Sequence, residues 1–178
     1  LNVSREILQE NKILANIKQG SIKKILSEIK KMGEDEAKYS EFYKEFGRAL
    51  KEGAYQDYTN KEAILELLRY KSTKAEGMTS FASYKDRANS EQKAIYYIVG
   101  ENEKIIKSSP LLESYKKADI EVLILDDKEI DEIITPALRE FQGWELKDIS
   151  SCEAPKVEKS EEEKKETEEK YHSIVDKI

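Results

Sequence analysis

The chain has 178 residues, 38% of them charged and 38% hydrophobic, with a mean hydropathy of -0.75 and a formal net charge of -6. That length supports one ordinary domain or two small ones with a core that needs neither metal nor disulfide, and the acid excess argues against general nucleic-acid binding, which draws on clustered Lys and Arg. No apolar run nears the ~20 residues that cross a bilayer; the absence of a secretory leader pattern and a lone Cys152 that can form no internal bridge predict a reducing, cytoplasmic setting with no membrane partner.

The charge is unevenly placed. Residues 1–32 hold seven basic side chains against three acidic ones, so this stretch is +4 and the remainder is -10. From Asn11 to Met32, Ile13, Leu14, Ile17, Ile22, Ile25, Leu26, Ile29 and Met32 recur at three-and-four spacing, which predicts one buried helical stripe interrupted at Gly20 and ended at Gly33. A second helix is predicted from Asp35 to Glu52 on Tyr39, Phe42, Tyr43, Phe46, Ala49 and Leu50, with Gly53 as a left-handed C-terminal cap and the aromatic stripe in the core. Asn60 is placed to cap a third helix carrying Ile64, Leu65, Leu67 and Leu68, its side chain accepting from the amide of Glu62 or Ala63. Residues 1–75 thus read as a three-helix module.

After a loop-like "STKAEGMTS" the period changes. A short helix starts near Ser80 with Phe81 and Tyr84 inward, "AIYYIV" is a buried strand closed by Gly100, and helical turns follow at 101–107 and 110–117. "EVLIL" is a second strand, a helix covers Ile130 to Phe141, and "WELKDI" is a third strand. Strand and helix in alternation give a small α/β/α layer over 76–150 with a short, mostly parallel sheet and right-handed crossovers, so the fold class is α/β, α+β overall. Tyr96 and Tyr97 alternate faces, one buried and one exposed; the exposed one either meets a partner or packs under a helix. Residues 151–178 form a polar linker and a charged helix with seven acidic and five basic groups between Lys159 and Lys177, and both ends of the chain read as cut from something longer.

"LNVSREILQ", "FGRALKEG", "LLRYKST", "MTSFASYKDR", "IYYIVGE", "SSPLLE", "EVLIL" and "IDE" occur in this order. The ordered series resembles the ninety-kilodalton heat-shock chaperone family, especially its bacterial branch. The match covers roughly residues 1–150, the back part of that family's middle domain, with the last helix opening its carboxy-terminal domain. The resemblance implies an ATP-dependent chaperone that holds unfolded or partly folded clients and dimerises through its carboxy-terminal domain. ATP and Mg²⁺ would belong to a separate amino-terminal domain, so this stretch alone would neither bind ATP tightly nor hydrolyse it. By the same resemblance Arg5, in "SRE", reaches the ATP γ-phosphate and Gln9 positions the loop. A guanidinium suits that role, because it stays protonated and offers a planar fork of donors; otherwise Arg5 is a solvated residue in a surface pair with Glu6 or Gln9.

Lys23, Lys24, Lys30 and Lys31 recur at seven-residue spacing and share a helical face, either a solvated surface or a dock for an acidic partner such as the chaperone DnaK. Glu132, Ile133 and Pro136 are candidate client contacts by resemblance, although an aromatic is common after "IDE" where Ile133 stands here. Asp126, Asp127 and Asp131 follow a strand where α/β sheets often place ligands, but no glycine-rich phosphate loop accompanies them. One His, His172, and one Cys give no metal cluster and no Cys-His nucleophile pair. The other readings are a non-catalytic helical docking module and a small α/β enzyme built on the acidic loop.

Overall fold

The computed structural model describes residues 12–89, 92–153 and 155. Its elements are α1 (Lys12–Met32), α2 (Glu36–Gln56), α3 (Lys61–Leu65), β1 (Lys71–Ser72), α4 (Phe81–Arg87), β2 (Ala94–Val99), α5 (Glu103–Lys107), α6 (Leu111–Lys117), β3 (Val122–Leu125), α7 (Lys128–Leu138), β4 (Glu140–Phe141) and β5 (Trp144–Asp148). The five strands form one sheet in the order β1-β3-β2-β5-β4. β2 pairs in parallel with β3 and with β5, Tyr97 lying opposite Leu123 on one side and Asp148 on the other. The two-residue strands β1 and β4 close the edges antiparallel.

The sheet is covered on both faces. Ile95, Tyr97, Leu123 and Leu125 point into a core built with Ala54 of α2, Ile64 and Leu65 of α3, Tyr84 of α4 and Ile134 and Leu138 of α7. Ile98, Val122 and Ile124 face Ile106 of α5 and Leu112 and Tyr115 of α6. Central parallel strands buried on both sides are near-continuous apolar runs for this reason. Tyr97 is buried, and Tyr96 on the opposite face is half-buried with its ring 5.1 Å from that of Tyr115, so it packs under a helix.

Several local expectations need correction. In α1 no residue is buried: Ile13, Ile17 and Ile25 are 67%, 58% and 57% exposed, and only Ile22, Leu26, Ile29 and Met32 of the stripe are half-buried. The period identifies the apolar face of a helix, not what covers it. The helix runs through Gly20 and ends before Gly33. α2 begins at an Asp35 cap that accepts from the Lys38 amide, but it continues past Gly53 to Gln56. Gly53 lies within the helix beside Ile64, whose Cδ1 is 3.6 Å from where its Cβ would stand, an ordinary contact that does not require glycine. Of the aromatic stripe, Tyr39 and Tyr43 are core, Phe42 is half-buried, and Phe46 is 54% exposed and stacked on Phe42. Asn60 makes no side-chain cap. Asp57 organises that turn, accepting from the amides of Thr59 and Asn60 and from Asn60 Nδ2.

α7 ends at Leu138, not Phe141, because Arg139 takes a positive φ of 64° and the chain turns back into β4. Gln142 (φ 47°) and Gly143 (φ 76°) are the two loop residues of the β4–β5 hairpin, a pair of left-handed positions that matches the twist of the strands.

The start of α4 follows the expectation: Ser80 caps it by accepting from the Ser83 amide, and Phe81 and Tyr84 are buried. Tyr84 then carries a buried polar node. Its hydroxyl donates to the Glu121 carbonyl (2.6 Å) and accepts from the Tyr96 amide (3.0 Å) and Gln92 Nε2 (2.8 Å). Arg87 grips the buried Glu121 carboxylate with Nε (3.0 Å) and Nη2 (2.7 Å). Tyr84→Phe deletes one oxygen and leaves these groups short of partners, so urea denaturation should show a loss of about 1–3 kcal/mol; unchanged stability would mean that the node contributes nothing.

Candidate functional site

α2 places Arg48 and Lys51 one turn apart, which points both cations at the turn between β3 and α7. Arg48 forks onto Asp127, Nε to Oδ2 at 2.6 Å and Nη2 to Oδ1 at 2.7 Å, with Glu129 at 3.8 Å. Lys51 Nζ lies 2.7 Å from Oδ1 and 2.9 Å from Oδ2 of Asp131, donating to Oδ2. Lys71 of β1 reaches Asp126 and Glu103, each at 2.8 Å. All three acids after β3 are therefore engaged by cations from α2 and β1. The sequence pattern left this loop open as a ligand site; the geometry makes it a clasp between the helical part and the α/β layer.

The electrostatics differ along the clasp. Arg48 is solvated, and the hydrogen bonds it donates to Asp127 raise an already high pKa. Lys71 is raised by the Asp126 and then the Glu103 hydrogen bonds. Glu103, held by Lys107 and Lys71, is pulled down to about 2; it lies at the surface, where salt screens such pairs. Asp131 is the exception, fully excluded from solvent. Burial pushes its carboxyl up against the lowering influence of Lys51. Lys51 also lies 5.2 Å over the ring of Tyr70. Around this pair Tyr43 Oη, Tyr70 Oη, Thr135 Oγ1 and Asp131 Oδ1 are buried without an aligned partner among the described residues. Tyr43, Tyr70 and Asp131, with Arg48 and Lys51, line a cavity of about 360 Å³.

The other face of α7 is free of this network. Glu132, Ile133 and Pro136 are all exposed, Ile133 at 66%, while Asp131, Ile134, Thr135 and Leu138 point inward. The structure thus brings the three candidate client contacts onto one solvent face. Pro136 has no amide hydrogen, so the Glu132 carbonyl loses its intrahelical donor there. Lys23, Lys24, Lys30 and Lys31 are exposed on α1, but Glu28 accepts from Lys24 (2.8 Å) and Lys31 (3.2 Å), and Glu66 takes Lys30 (2.5 Å). Arg5, Gln9, His172 and the charged carboxy-terminal stretch lie outside the described residues. Cys152 is half-buried, its Sγ 3.1 Å from the Tyr115 hydroxyl. Among the described residues no helix is long and apolar enough to cross a membrane.

Removing one partner of a buried ion pair strands the other, whereas replacing both with apolar groups of similar volume does not. Asp131→Ala should lower stability by about 3–5 kcal/mol, while Lys51→Met combined with Asp131→Leu should recover most of the loss. Urea denaturation of the two variants checks this; equal losses in both would contradict a clasp held chiefly by charge compensation.

The description "Hsp90 protein" belongs to the family model that matches residues 1–178. The chain is 74% identical over 180 residues to chaperone protein HtpG of Aliarcobacter butzleri and 53% identical over 178 residues to that of Sulfurovum sp., in each case across 100% of this chain and 28% of the relative. It spans about 28% of the length of these relatives. The solved middle domain of a Plasmodium falciparum heat shock protein shares the fold with a TM-score of 0.74 and 33% identity, covering 80% of this chain and 61% of that one. The sheet covered on both faces and these matches across the whole of this chain lead to one conclusion: the chain belongs to the Hsp90 family.

Proposed function

We propose that this stretch is the transmission part of an ATP-dependent chaperone, carrying ATP-driven domain closure to a surface that holds client proteins. The observation that carries the reading is family membership across the whole chain together with a middle-domain fold. Arg5 reaches the γ-phosphate of ATP bound with Mg²⁺ in the amino-terminal domain, and Gln9 positions the loop that presents it. The chemistry supports this: a guanidinium fork both neutralises phosphate charge and reports that two domains have met. The exposed face of α7, with Glu132, Ile133 and Pro136, meets unfolded or partly folded clients. In this reading the parent is a cytoplasmic homodimer joined through its carboxy-terminal domain.

DnaK is the partner proposed for the lysine face of α1. With Lys24 and Lys31 sharing Glu28 and Lys30 held by Glu66, Lys23 is the lysine of that face for which no acid partner is recorded among the described residues.

The experiment uses the full-length protein that contains this stretch. Arg5→Ala should lower ATP turnover by roughly tenfold or more, well short of the roughly 10³–10⁵ that arginine fingers supply elsewhere, with nucleotide affinity little changed. Turnover equal to the parent's would reject the role of Arg5. In the same protein, Lys23→Glu with Lys24→Glu should weaken DnaK binding, and unchanged binding would remove DnaK from that face.

A further inference from the structure

A second cavity, of about 320 Å³, lies where the α1–α2 turn meets the loop from β1 to α4. Its inner wall is made by Tyr39 and Tyr43 of α2, Met78 and Arg69. Its charges do not all cancel. Lys71 and Lys107 both hold Glu103, and Lys71 holds Asp126 as well. What remains is a cation inside, Arg69, and two acids, Glu36 and Glu76, for which no ion pair is formed among the described residues.

Arg69 is held in place without a counter-ion among the described residues. Its guanidinium lies 4.6 Å over the ring of Tyr39. Nη1 donates to the carbonyls of Glu66 (2.9 Å) and Leu68 (3.0 Å). Arg69 pairs with no carboxylate among the described residues, although it is half-buried where an anion would be desolvated with it. Nη2 faces Gly33, 3.4 Å from where a Cβ would stand, and Gly33 itself lines the cavity. Stacking and the two carbonyls orient one edge of the fork, leaving the other directed at the cavity. A pinned arginine suits an incoming carboxylate, because little rotamer freedom remains to be lost on binding. The acids Glu36 and Glu76 suit an ammonium at the other end, Glu36 Oε1 lying 3.3 Å from the Cβ position of Gly77 in the facing loop.

We infer that this cavity binds a small zwitterion, an α-amino acid with an apolar side chain. Arg69 takes its carboxylate, Glu36 and Glu76 attract its ammonium, and Tyr39 and Met78 border its side chain. The volume is at the small end of ligand pockets, matched to an amino acid rather than to a nucleotide. None of the residues lining this cavity belongs to the exposed face of α7.

The test titrates L-phenylalanine, phenylalaninamide and N-acetyl-L-phenylalanine, at millimolar concentration, into the 178-residue chain followed by amide NMR. L-phenylalanine should shift the Gly33 and Gly77 resonances, and the two analogues, lacking either the carboxylate or the ammonium, should bind roughly tenfold more weakly or worse. Arg69→Met should abolish the shifts, and Arg69→Lys, which keeps the charge without the fork, should retain part of them. Glu36→Gln with Glu76→Gln leaves Arg69 and the two carbonyls it holds untouched, so it tests the ammonium end by itself; it should remove the preference for L-phenylalanine over its N-acetyl form. Phenylalaninamide binding as tightly as L-phenylalanine, undiminished binding in a folded Arg69→Met chain, or no shifts at all would overturn the assignment.

Discussion

Asp131 is a carboxylate withdrawn completely from water, and its counter-ion comes from a helix 80 residues earlier in the chain. Burying a charge is tolerable only when a partner is buried with it, and even then the gain over an apolar pair is small. The pair therefore specifies more than it stabilises. It fixes where α2 lies on α7, and the solvated Arg48–Asp127 fork one turn away fixes the same contact in rotation.

Apolar packing runs through the same junction. Ala54, Ile64, Leu65 and Leu68 from the helical part belong to one core with Ile95, Leu123, Leu125 and Leu146 from the sheet. The helices and the α/β layer thus share their interior as well as an ion pair. α7 sits between two environments, its inner face tied to α2 and the core and its outer face carrying exposed Ile133 and Pro136. This arrangement gives the proposed transmission a physical route: a displacement of α2 is passed to α7 through contacts that cannot be broken singly without stranding a charge.

The parts legible in the sequence are those with a local period or cap. "AIYYIV" and "EVLIL" are apolar over lengths typical of buried strands, and Ser80, Phe81 and Tyr84 announce α4 by spacing alone. Two kinds of feature were hidden. β1 and β4 have two residues each, too few to show a period, and Asp57 and Asn60 are both capping types, so only geometry decides that Asp57 organises the turn. The Lys51–Asp131 pair and the stacking of Arg69 on Tyr39 depend on contacts between distant segments, which no window along the chain contains. The stripe of α1 shows the opposite error, a strong pattern whose partner lies outside what the pattern can report. The family resemblance supplied Arg5 and Gln9, whose placement no periodic signal touches.

The central claim is that α2 and the α/β layer form one cooperative unit. Native-state hydrogen exchange across a series of low urea concentrations measures this residue by residue. The account predicts that amides around Lys51 in α2 and those of Leu123 and Ile124 in β3 open with the same free energy and the same urea dependence. If the α2 amides exchanged through a separate, cheaper opening while β3 stayed protected, the clasp would not join the two parts and the claim would be contradicted.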